Sequence, residues 1–322
     1  MSKPLPPAAL ADRIRDALKT LGLRHAATQF DKQLADPAPD VSRLEWLWRL
    51  VEPQLVARVE ARFERRFRES RLPERKTLEG FDAAFQPDLD WDLVLELGTL
   101  GFVDEGKNVL LAGMSGTGKS HIAKALALNA CLDNRRVRYT TSAEMLTVLN
   151  ASLADETLNQ AIKPYANPDL LVIDEVGLEQ VERTIASRAG LMQKVLLPRY
   201  GDKNPRSTII TSNIPWSSWG DYLEDHLGAT ALLDRLLHHS HVIVINGPSY
   251  RDHVHQQEVA DAQKKRVGRK PPPADVGTDV TSSPEPKKAT KPRPKKASKA
   301  PTSKSKKAAR PQPKRRRGSS KR

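Results

Sequence analysis

Eight residues, Gly113 to Ser120, constrain the fold of this 322-residue chain more than any other stretch. They read G-M-S-G-T-G-K-S and match the pattern G-x-x-x-x-G-K-[ST]. An apolar run at 109–112 precedes them and a helix-forming run at 121–130 follows, so the loop would connect a strand to a helix. Glycines let such a loop curl until its N–H groups face phosphates, and the following helix adds the positive end of its dipole. The pattern predicts a phosphate-binding loop in an α/β fold rather than an ordinary glycine turn.

The residues of this loop are the candidates for binding a nucleoside triphosphate. Lys119 would neutralise phosphate charge, and the Ser120 hydroxyl would bind Mg²⁺. The predicted nucleotide-binding residues are Gly113, Ser115, Gly116, Thr117, Gly118, Lys119, Ser120 and His121.

A second apolar run, 170–173, ends in the acidic pair Asp174 and Glu175. Such a continuous run is typical of a buried parallel strand, whose carboxyl end opens into the crevice where α/β folds bind ligands. Asp174 would hold the Mg²⁺ shell, and Glu175 would orient and polarise the attacking water. The alternative is a strand that merely ends in acidic turn residues; the neighbouring phosphate loop favours the functional role.

Two polar residues further along the chain complete the predicted catalytic set. Asn213 follows a third strand at 208–211 and would reach the γ-phosphate or the attacking water, unless it only starts a turn before Pro215. Arg235 lies in a mostly apolar helical stretch. It would either reach the γ-phosphate of a neighbouring subunit as an arginine finger or pair with Asp234 or Glu224.

The order of these elements resembles the AAA+ ATPases, and more narrowly the IstB-type transposition helpers, which are relatives of the DnaC helicase loader. The segments that carry the resemblance are Gly113–Ser120, Leu171–Glu175, Thr211–Asn213, Leu232–His241 and Ser249–Arg251, and the likeness covers about residues 10–255. The chain departs from the family pattern at Val176–Leu178, where relatives often read leucine-glycine-tyrosine, and in its long basic C-terminal extension.

The resemblance implies an α/β fold: an AAA+ P-loop core with a parallel sheet flanked by helices and no sizeable C-terminal lid. It also implies an ATPase with ATP and Mg²⁺ that oligomerises on duplex DNA and regulates transposition for a partner transposase. Two alternatives remain open at this stage. One is a replicative helicase loader that acts with single-stranded DNA, and the other is a DNA-coating protein whose nucleotide is not hydrolysed.

The chain divides into three predicted segments: a small helical N-terminal domain at 1–72 for partner or oligomer contacts, the ATPase core at 73–258 and a basic tail at 259–322. In the first segment, Ser42 and Glu45 form a capping pattern that starts a helix, which Pro53 would end or kink. Charges of both signs at 58–69 indicate either a solvated surface or a docking surface for a transposase or another subunit.

The tail carries all of the excess positive charge. Residues 264–322 hold 22 lysines and arginines against three acidic residues, whereas the rest of the chain is mildly acidic although the whole has a net charge of +14. Without an aromatic residue the tail cannot form a core, so the composition predicts a disordered segment that binds nucleic acid through phosphates, or else one that only solubilises the chain. The predicted contacts are Lys287, Lys288, Lys295, Lys296, Lys306, Lys307, Arg315, Arg316 and Arg317.

Further predictions concern three more basic residues, a group of histidines and the cellular compartment. Lys163, Arg183 and Arg188 flank the Asp174 strand in sequence and would face a central DNA path. His238, His239 and His241 lack metal-site spacing and are expected at a helix end and a strand start. A single cysteine, and the lack of any apolar run of signal-peptide or membrane-spanning length, predict a cytoplasmic protein with no membrane partner.

Overall fold

The structure is a computed structural model that describes residues 6–35, 41–178, 187–200 and 206–267. Its helices are α1 Pro7–Thr20, α2 Arg24–Ala35, α3 Arg43–Ser70, α4 Trp91–Gly98, α5 Gly101–Asp104, α6 Lys119–Leu132, α7 Ser142–Ala154, α8 Leu158–Ala166, α9 Arg188–Leu196, α10 Trp219–Leu223, α11 His226–His238 and α12 Tyr250–Val267. Short 3₁₀ turns cover Ala83–Phe85, Leu197–Arg199 and Trp216–Ser218. Among the described helices, none is both long and apolar enough to cross a bilayer.

Five parallel strands form one sheet in the order β2-β3-β4-β1-β5. They are β1 Asn108–Gly113, β2 Val137–Thr141, β3 Leu170–Val176, β4 Ser207–Ser212 and β5 Ser240–Ile245. The strands predicted before the phosphate loop, before Asp174 and before Asn213 are β1, β3 and β4. Because β3 and β4 are neighbours and β4 lies beside β1, the carboxyl ends of all three meet at one edge of the sheet.

Side chains of the central strands alternate between two hydrophobic cores. Leu111 of β1 packs in the core that α4, α5 and α6 cover, whereas Leu110 packs in the core that α7 to α11 cover. Both residues are fully buried, which explains why the strands read as continuous apolar runs. The prediction of an α/β fold with a parallel sheet flanked by helices is confirmed.

Helix α3 begins where the capping pattern predicted. The Ser42 hydroxyl accepts a hydrogen bond of 3.1 Å from the backbone N–H of Glu45. Of the two outcomes expected at Pro53, an end of the helix is not observed, because α3 continues to Ser70 with Pro53 inside it. Its first half is anchored to α2 through buried Leu50, and Phe63 in its second half packs against the sheet core. Packing on both sides of Pro53 offsets the loss of one backbone hydrogen bond.

The helices at the N-terminus have a small core of their own. Ala26 and Phe30 of α2 pack against Leu50 of α3, and Trp46 meets the ring of Phe30 edge-on at 6.2 Å. The buried Gln54 side chain accepts a hydrogen bond from the N–H of His25. The boundary predicted at residue 72 stays a prediction. Helix α12 continues across the predicted boundary at 258 to Val267, so the first residues of the predicted tail are helical, and the rest of the tail lies outside the described residues.

Candidate nucleotide site

The phosphate loop connects the end of β1 to the start of α6, as the sequence predicted. Two of its glycines have left-handed backbones, Gly116 with φ of 82° and Gly118 with φ of 99°. A Cβ at Gly118 would lie 2.5 Å from the ring of Phe81, and a Cβ at Gly116 would overlap the side chain of Ser249. Both positions therefore require glycine for their backbone conformation and for the close approach of a neighbour.

Lys119 is buried in the turn that it closes, with 4% of its surface exposed. Its Nζ donates hydrogen bonds of 2.8 Å to the Gly113 carbonyl and 2.7 Å to the Met114 carbonyl. The pKa of Lys119 is lowered to about 8, mainly by burial; the charge of Asp174 opposes this shift, and that of Arg251 adds to it. In this position, the oxygens of a bound phosphate would replace the two carbonyl groups as hydrogen-bond acceptors of the ammonium group.

Asp174 is the centre of a buried hydrogen-bond network. Its Oδ1 accepts a bond of 2.8 Å from the Ser120 hydroxyl and another from the Thr211 hydroxyl. Its Oδ2 accepts a bond of 2.6 Å from the Tyr139 hydroxyl, whose pKa is raised by burial and by the charge of Asp174. The side chain is only 1% exposed, so these donors fix the carboxylate in one orientation.

Glu175 occupies an irregularity at the end of β3. The pairing of β3 with β4 shifts register between Ile173 and Val176, and Glu175 has a left-handed φ of 64°. Its N–H donates to Thr211 Oγ1 at 2.9 Å and to Asp174 Oδ1 at 3.1 Å. This local strain turns the Glu175 side chain into the cavity that the phosphate loop lines, whereas Asp174 stays behind it.

A cavity of about 320 Å³ brings most of the predicted site residues together. The predicted residues that line it are Ser115, Gly116, Thr117, Gly118, Lys119, Ser120, His121, Glu175 and Asn213. Gly113 does not line the cavity; it ends β1 and its carbonyl accepts from Lys119. The loop N–H groups, the buried lysine and the adjacent hydroxyl and carboxylate suit a nucleoside triphosphate with Mg²⁺, which prefers oxygen ligands.

Residues before β1 close one side of the cavity, and motif reading did not identify them. Phe81 stacks on Trp91 at 5.1 Å and meets the ring of His121 edge-on. Lys124, also at the cavity, forms an ion pair of 2.9 Å with Glu74. No local pattern predicts this contact, because residues 74–91 reach the loop only through the packing of the segment that precedes β1.

The segment after β5 closes the opposite side. The N–H of Tyr250, the first residue of α12, donates a hydrogen bond of 2.9 Å to the Gly116 carbonyl. Arg251 lines the cavity, so the residue that the sequence placed near the end of the resemblance lies beside the phosphate loop. Gln86 donates to the Pro248 carbonyl at 2.8 Å and so ties the segments before β1 and after β5 to each other.

Arg235 lies outside this cavity, on the exposed side of α11. The Tyr200 hydroxyl donates to its backbone carbonyl. Within the described part of the chain, neither Asp234 nor Glu224 forms an ion pair with Arg235, and Glu224 instead lies 3.6 Å from Arg188. The alternative that Arg235 is an intramolecular pairing partner of those carboxylates is therefore not observed among these residues.

The basic residues predicted to face DNA have different surroundings. Lys163 is exposed on α8. Arg188 is buried and donates to the Tyr222 carbonyl at 2.8 Å, which corrects the expectation that it faces a DNA path: its guanidinium is held by α10. Arg183 and all the tail residues, Lys287, Lys288, Lys295, Lys296, Lys306, Lys307, Arg315, Arg316 and Arg317, lie outside the described residues.

The histidine cluster has the structural position that the sequence predicted. His238 ends α11, and His241 lies in β5. The rings of His238 and His239 meet edge-on at 4.4 Å. In the ranges that the structure describes, no group of three or more histidine, cysteine or acidic residues could hold a metal ion.

Comparison with known proteins gives a consistent match over most of the chain. Residues 16–258 match the family described as IstB-like ATP binding protein. A Pseudomonas aeruginosa protein, named for ATP binding in insertion sequence IS21, is 34% identical over 235 residues, which are 73% of this chain and 86% of that protein. A Geobacillus stearothermophilus protein, named in the same way for insertion sequence IS5376, is 32% identical over 66% of this chain and 82% of its own length.

Solved structures resemble the chain at lower identity. The DnaI crystal structure is 22% identical, covers 54% of this chain and 90% of that one, and has a TM-score of 0.44. The crystal structure of the DnaC helicase loader is 21% identical, covers 48% of this chain and 86% of that one, and has a TM-score of 0.40.

Proposed function

The chain belongs to the family of IstB-like ATP-binding proteins, and from that premise we propose that it is an ATP-hydrolysing switch which assembles on duplex DNA and serves a transposase. It is an AAA+ ATP-binding protein associated with insertion sequences. Hydrolysis, DNA binding, assembly and the transposase partner are the parts that we propose.

One observation carries the proposal of hydrolysis: Lys119, Ser120, Glu175 and Asn213 line a single cavity, and Asp174 is bonded to Ser120 directly behind it. These residues come from β1, β3 and β4 and from the helix after β1. A site for binding alone would need the loop and its lysine. A glutamate at the same cavity, turned there by a left-handed backbone, is what activation of water requires.

The chemistry follows from these positions. Backbone N–H groups of the loop bind the β- and γ-phosphates of ATP, and Lys119 exchanges its carbonyl partners for phosphate oxygens. Glu175 accepts a hydrogen bond from the attacking water and orients it, while Asn213 contacts the water or the γ-phosphate. Ser120 and Asp174 would hold Mg²⁺, which neutralises charge that develops on the phosphates.

Two arginines would stabilise the negative charge that develops on the phosphates. Arg251 lines the cavity of its own chain and approaches the phosphates in cis. Arg235 is exposed outside that cavity, and its proposed role is to reach the nucleotide of a neighbouring subunit. Hydrolysis would then depend on assembly, and loss of the γ-phosphate would weaken the interface that Arg235 completes.

Support for the DNA and transposase roles comes from the relatives and from charge. The relatives are named for insertion sequences, whose movement requires a transposase. Residues 264–322 hold 22 basic residues against three acidic ones, which suits binding to phosphates regardless of sequence. Lys163 on α8 is an exposed candidate within the core.

Electron microscopy of the purified protein on linear duplex DNA, with and without ATP, tests the proposal. Closed or helical assemblies that form only with ATP are the expected result. Single-stranded DNA of the same length is the matched control, and a preference for it would favour a helicase loader. DNA coated equally well without ATP would contradict the proposed switch.

A further inference from the structure

Helix α3 exposes a continuous row of large hydrophobic side chains. We call this row the apolar stripe; it consists of Leu44, Leu47, Trp48, Val51, Leu55 and Val59, whose exposed fractions lie between 45% and 81%. Spacings of three and four residues place them on one side of the helix. The stripe is separate from the buried contact of the same helix, where Leu50 packs against α2.

The same side of α3 becomes basic in its next turns. Arg58, Arg62 and Arg65 follow the apolar stripe at helical spacing, and we call them the arginine row. All three are exposed, and none forms an ion pair with a described carboxylate. Elsewhere on α3, by contrast, Arg49 pairs with Glu45 at 2.8 Å and Arg66 with Glu69 at 3.4 Å.

This arrangement is unusual for a helix that meets only water. A surface helix normally buries one apolar side and presents polar residues on the others. The first half of α3 buries Leu50 and also exposes the apolar stripe, so it has two apolar sides. A contiguous exposed apolar surface of this kind marks an interaction site.

Charge distinguishes between the possible occupants. A second copy of α3 in parallel would bring the arginine row against itself, and an antiparallel copy would bring it against the apolar stripe or beyond its end. Nucleic acid would use the arginines but would leave six large hydrophobic side chains without a partner. An amphipathic protein helix with carboxylates at one end satisfies both parts of the surface.

We propose that this side of α3 docks an amphipathic helix of the partner transposase, with apolar residues against the apolar stripe and acidic residues against the arginine row. This inference rests on the proposed function, because it takes the transposase as the partner. It adds to that function the place of docking and the chemistry of the docked segment.

The test measures binding of the purified transposase from the same insertion sequence to the full-length protein by titration calorimetry. One variant carries Leu47→Glu and Val51→Glu, and a second carries Arg58→Glu, Arg62→Glu and Arg65→Glu. All five side chains are exposed, so both variants should keep the fold. Each should weaken transposase binding by about tenfold or more, as loss of a central contact does.

The matched control reverses three exposed charges on α1 and α2, Arg13→Glu, Lys19→Glu and Lys32→Glu, and should bind the transposase as the wild type does. Equal binding by the control and both variants would overturn the proposal. So would a change in the mass of the protein's own assembly in the apolar variant, which would indicate a second copy. Loss of DNA affinity alone in the arginine variant would indicate nucleic acid.

Failure of the wild type to bind the transposase would also overturn the inference. ATP turnover and ATP-dependent assembly on DNA, measured on the same preparations, then decide separately whether the proposed switch stands.

Discussion

The Tyr139 hydroxyl donates a hydrogen bond of 2.6 Å to Oδ2 of Asp174, from the strand next to the one that carries this carboxylate. The other oxygen of Asp174 accepts from Ser120 and Thr211. Tyr139 therefore fixes the direction in which the carboxylate faces the phosphate loop, although it does not itself line the cavity.

Replacing Tyr139 with phenylalanine should raise the Mg²⁺ concentration needed for nucleotide binding by about tenfold. The change removes one hydrogen bond to a charged acceptor, worth about 1.5–3 kcal/mol, and leaves the ring in the core. Binding of a fluorescent ATP analogue, titrated with Mg²⁺ and repeated in EDTA, is the measurement. Tyr165→Phe, at a buried tyrosine of the other core, is the control. An unchanged Mg²⁺ requirement in Tyr139→Phe would contradict a positioning role.

The pKa of Lys119 predicts how ATP affinity depends on pH. Burial places this pKa near 8 in the free protein, and a bound phosphate favours the charged form, so affinity should be constant below about pH 7 and fall above about pH 8. The fall should approach tenfold per pH unit. Arg251→Ala should shift its onset to higher pH, because the charge of Arg251 lowers the pKa of Lys119. Isothermal titrations across this range measure both effects, and a flat profile would show that Lys119 keeps its proton throughout.

The same pKa shift also determines how the stability of the protein changes with pH. Lys119 has a lower pKa in the folded protein than the ordinary value of 10.5, so the unfolded chain binds more protons between about pH 8 and pH 10.5. The contribution of this residue to the free energy of unfolding therefore becomes more favourable as the pH rises through that window. Denaturant titrations of the wild type and Lys119→Met should differ in slope within that window, whereas below about pH 7 the difference between their free energies of unfolding should stay constant.

Glu175→Gln should preserve ATP binding and lower turnover by about a hundredfold or more, since the amide cannot act as a base. If hydrolysis releases the assembly, the lifetime of the DNA complex should rise in parallel. Glu156→Gln is a suitable control, because Glu156 also has a left-handed backbone but lies outside the cavity. Phosphate release and dissociation from labelled duplex are the two measurements, and an unchanged DNA lifetime in Glu175→Gln would refute the switch.

Ending the chain at residue 267, after α12, should leave ATP-dependent assembly intact and weaken nonspecific DNA binding. Each lost phosphate contact should reduce the slope of log affinity against log salt by about 0.9. For a full-length chain with glutamine at Lys314, Arg315, Arg316 and Arg317, this slope should lie between the slopes of the wild type and the shortened chain. Fluorescence anisotropy across a salt series gives the slopes. Loss of assembly in the shortened chain would mean that the tail has more than an accessory role.

Sequence reasoning succeeded where chemistry is encoded by a few consecutive residues. The strand, loop and helix around Lys119 have the predicted order, and Glu175 and Asn213 reach the same cavity because parallel strands end at the same edge of the sheet. The cap at Ser42 was also predicted correctly, since a capping bond spans only three residues. These are local patterns whose geometry follows from short-range backbone rules.

The rest depends on contacts between residues that are distant in sequence. Tyr139 lies 35 positions from Asp174, and its role follows only from the strand order, which no local pattern specifies. Phe81 against Gly118 is a contact of the same kind. Arg188 carries the charge of a DNA-binding residue but is buried, and its burial depends on the packing of α9 against α10 and α11.

The bond from Tyr250 to the Gly116 carbonyl has a consequence for regulation. It joins the start of α12 to the phosphate loop, so a change in this hydrogen bond on nucleotide binding would couple occupancy of the loop to the position of α12. Thermodynamic linkage makes that coupling reciprocal. A partner that holds α12 in the arrangement favoured by ATP must tighten ATP binding by the factor by which ATP tightens that partner. A partner that binds the start of α12, just after β5, could thus respond to the nucleotide state and could also change it.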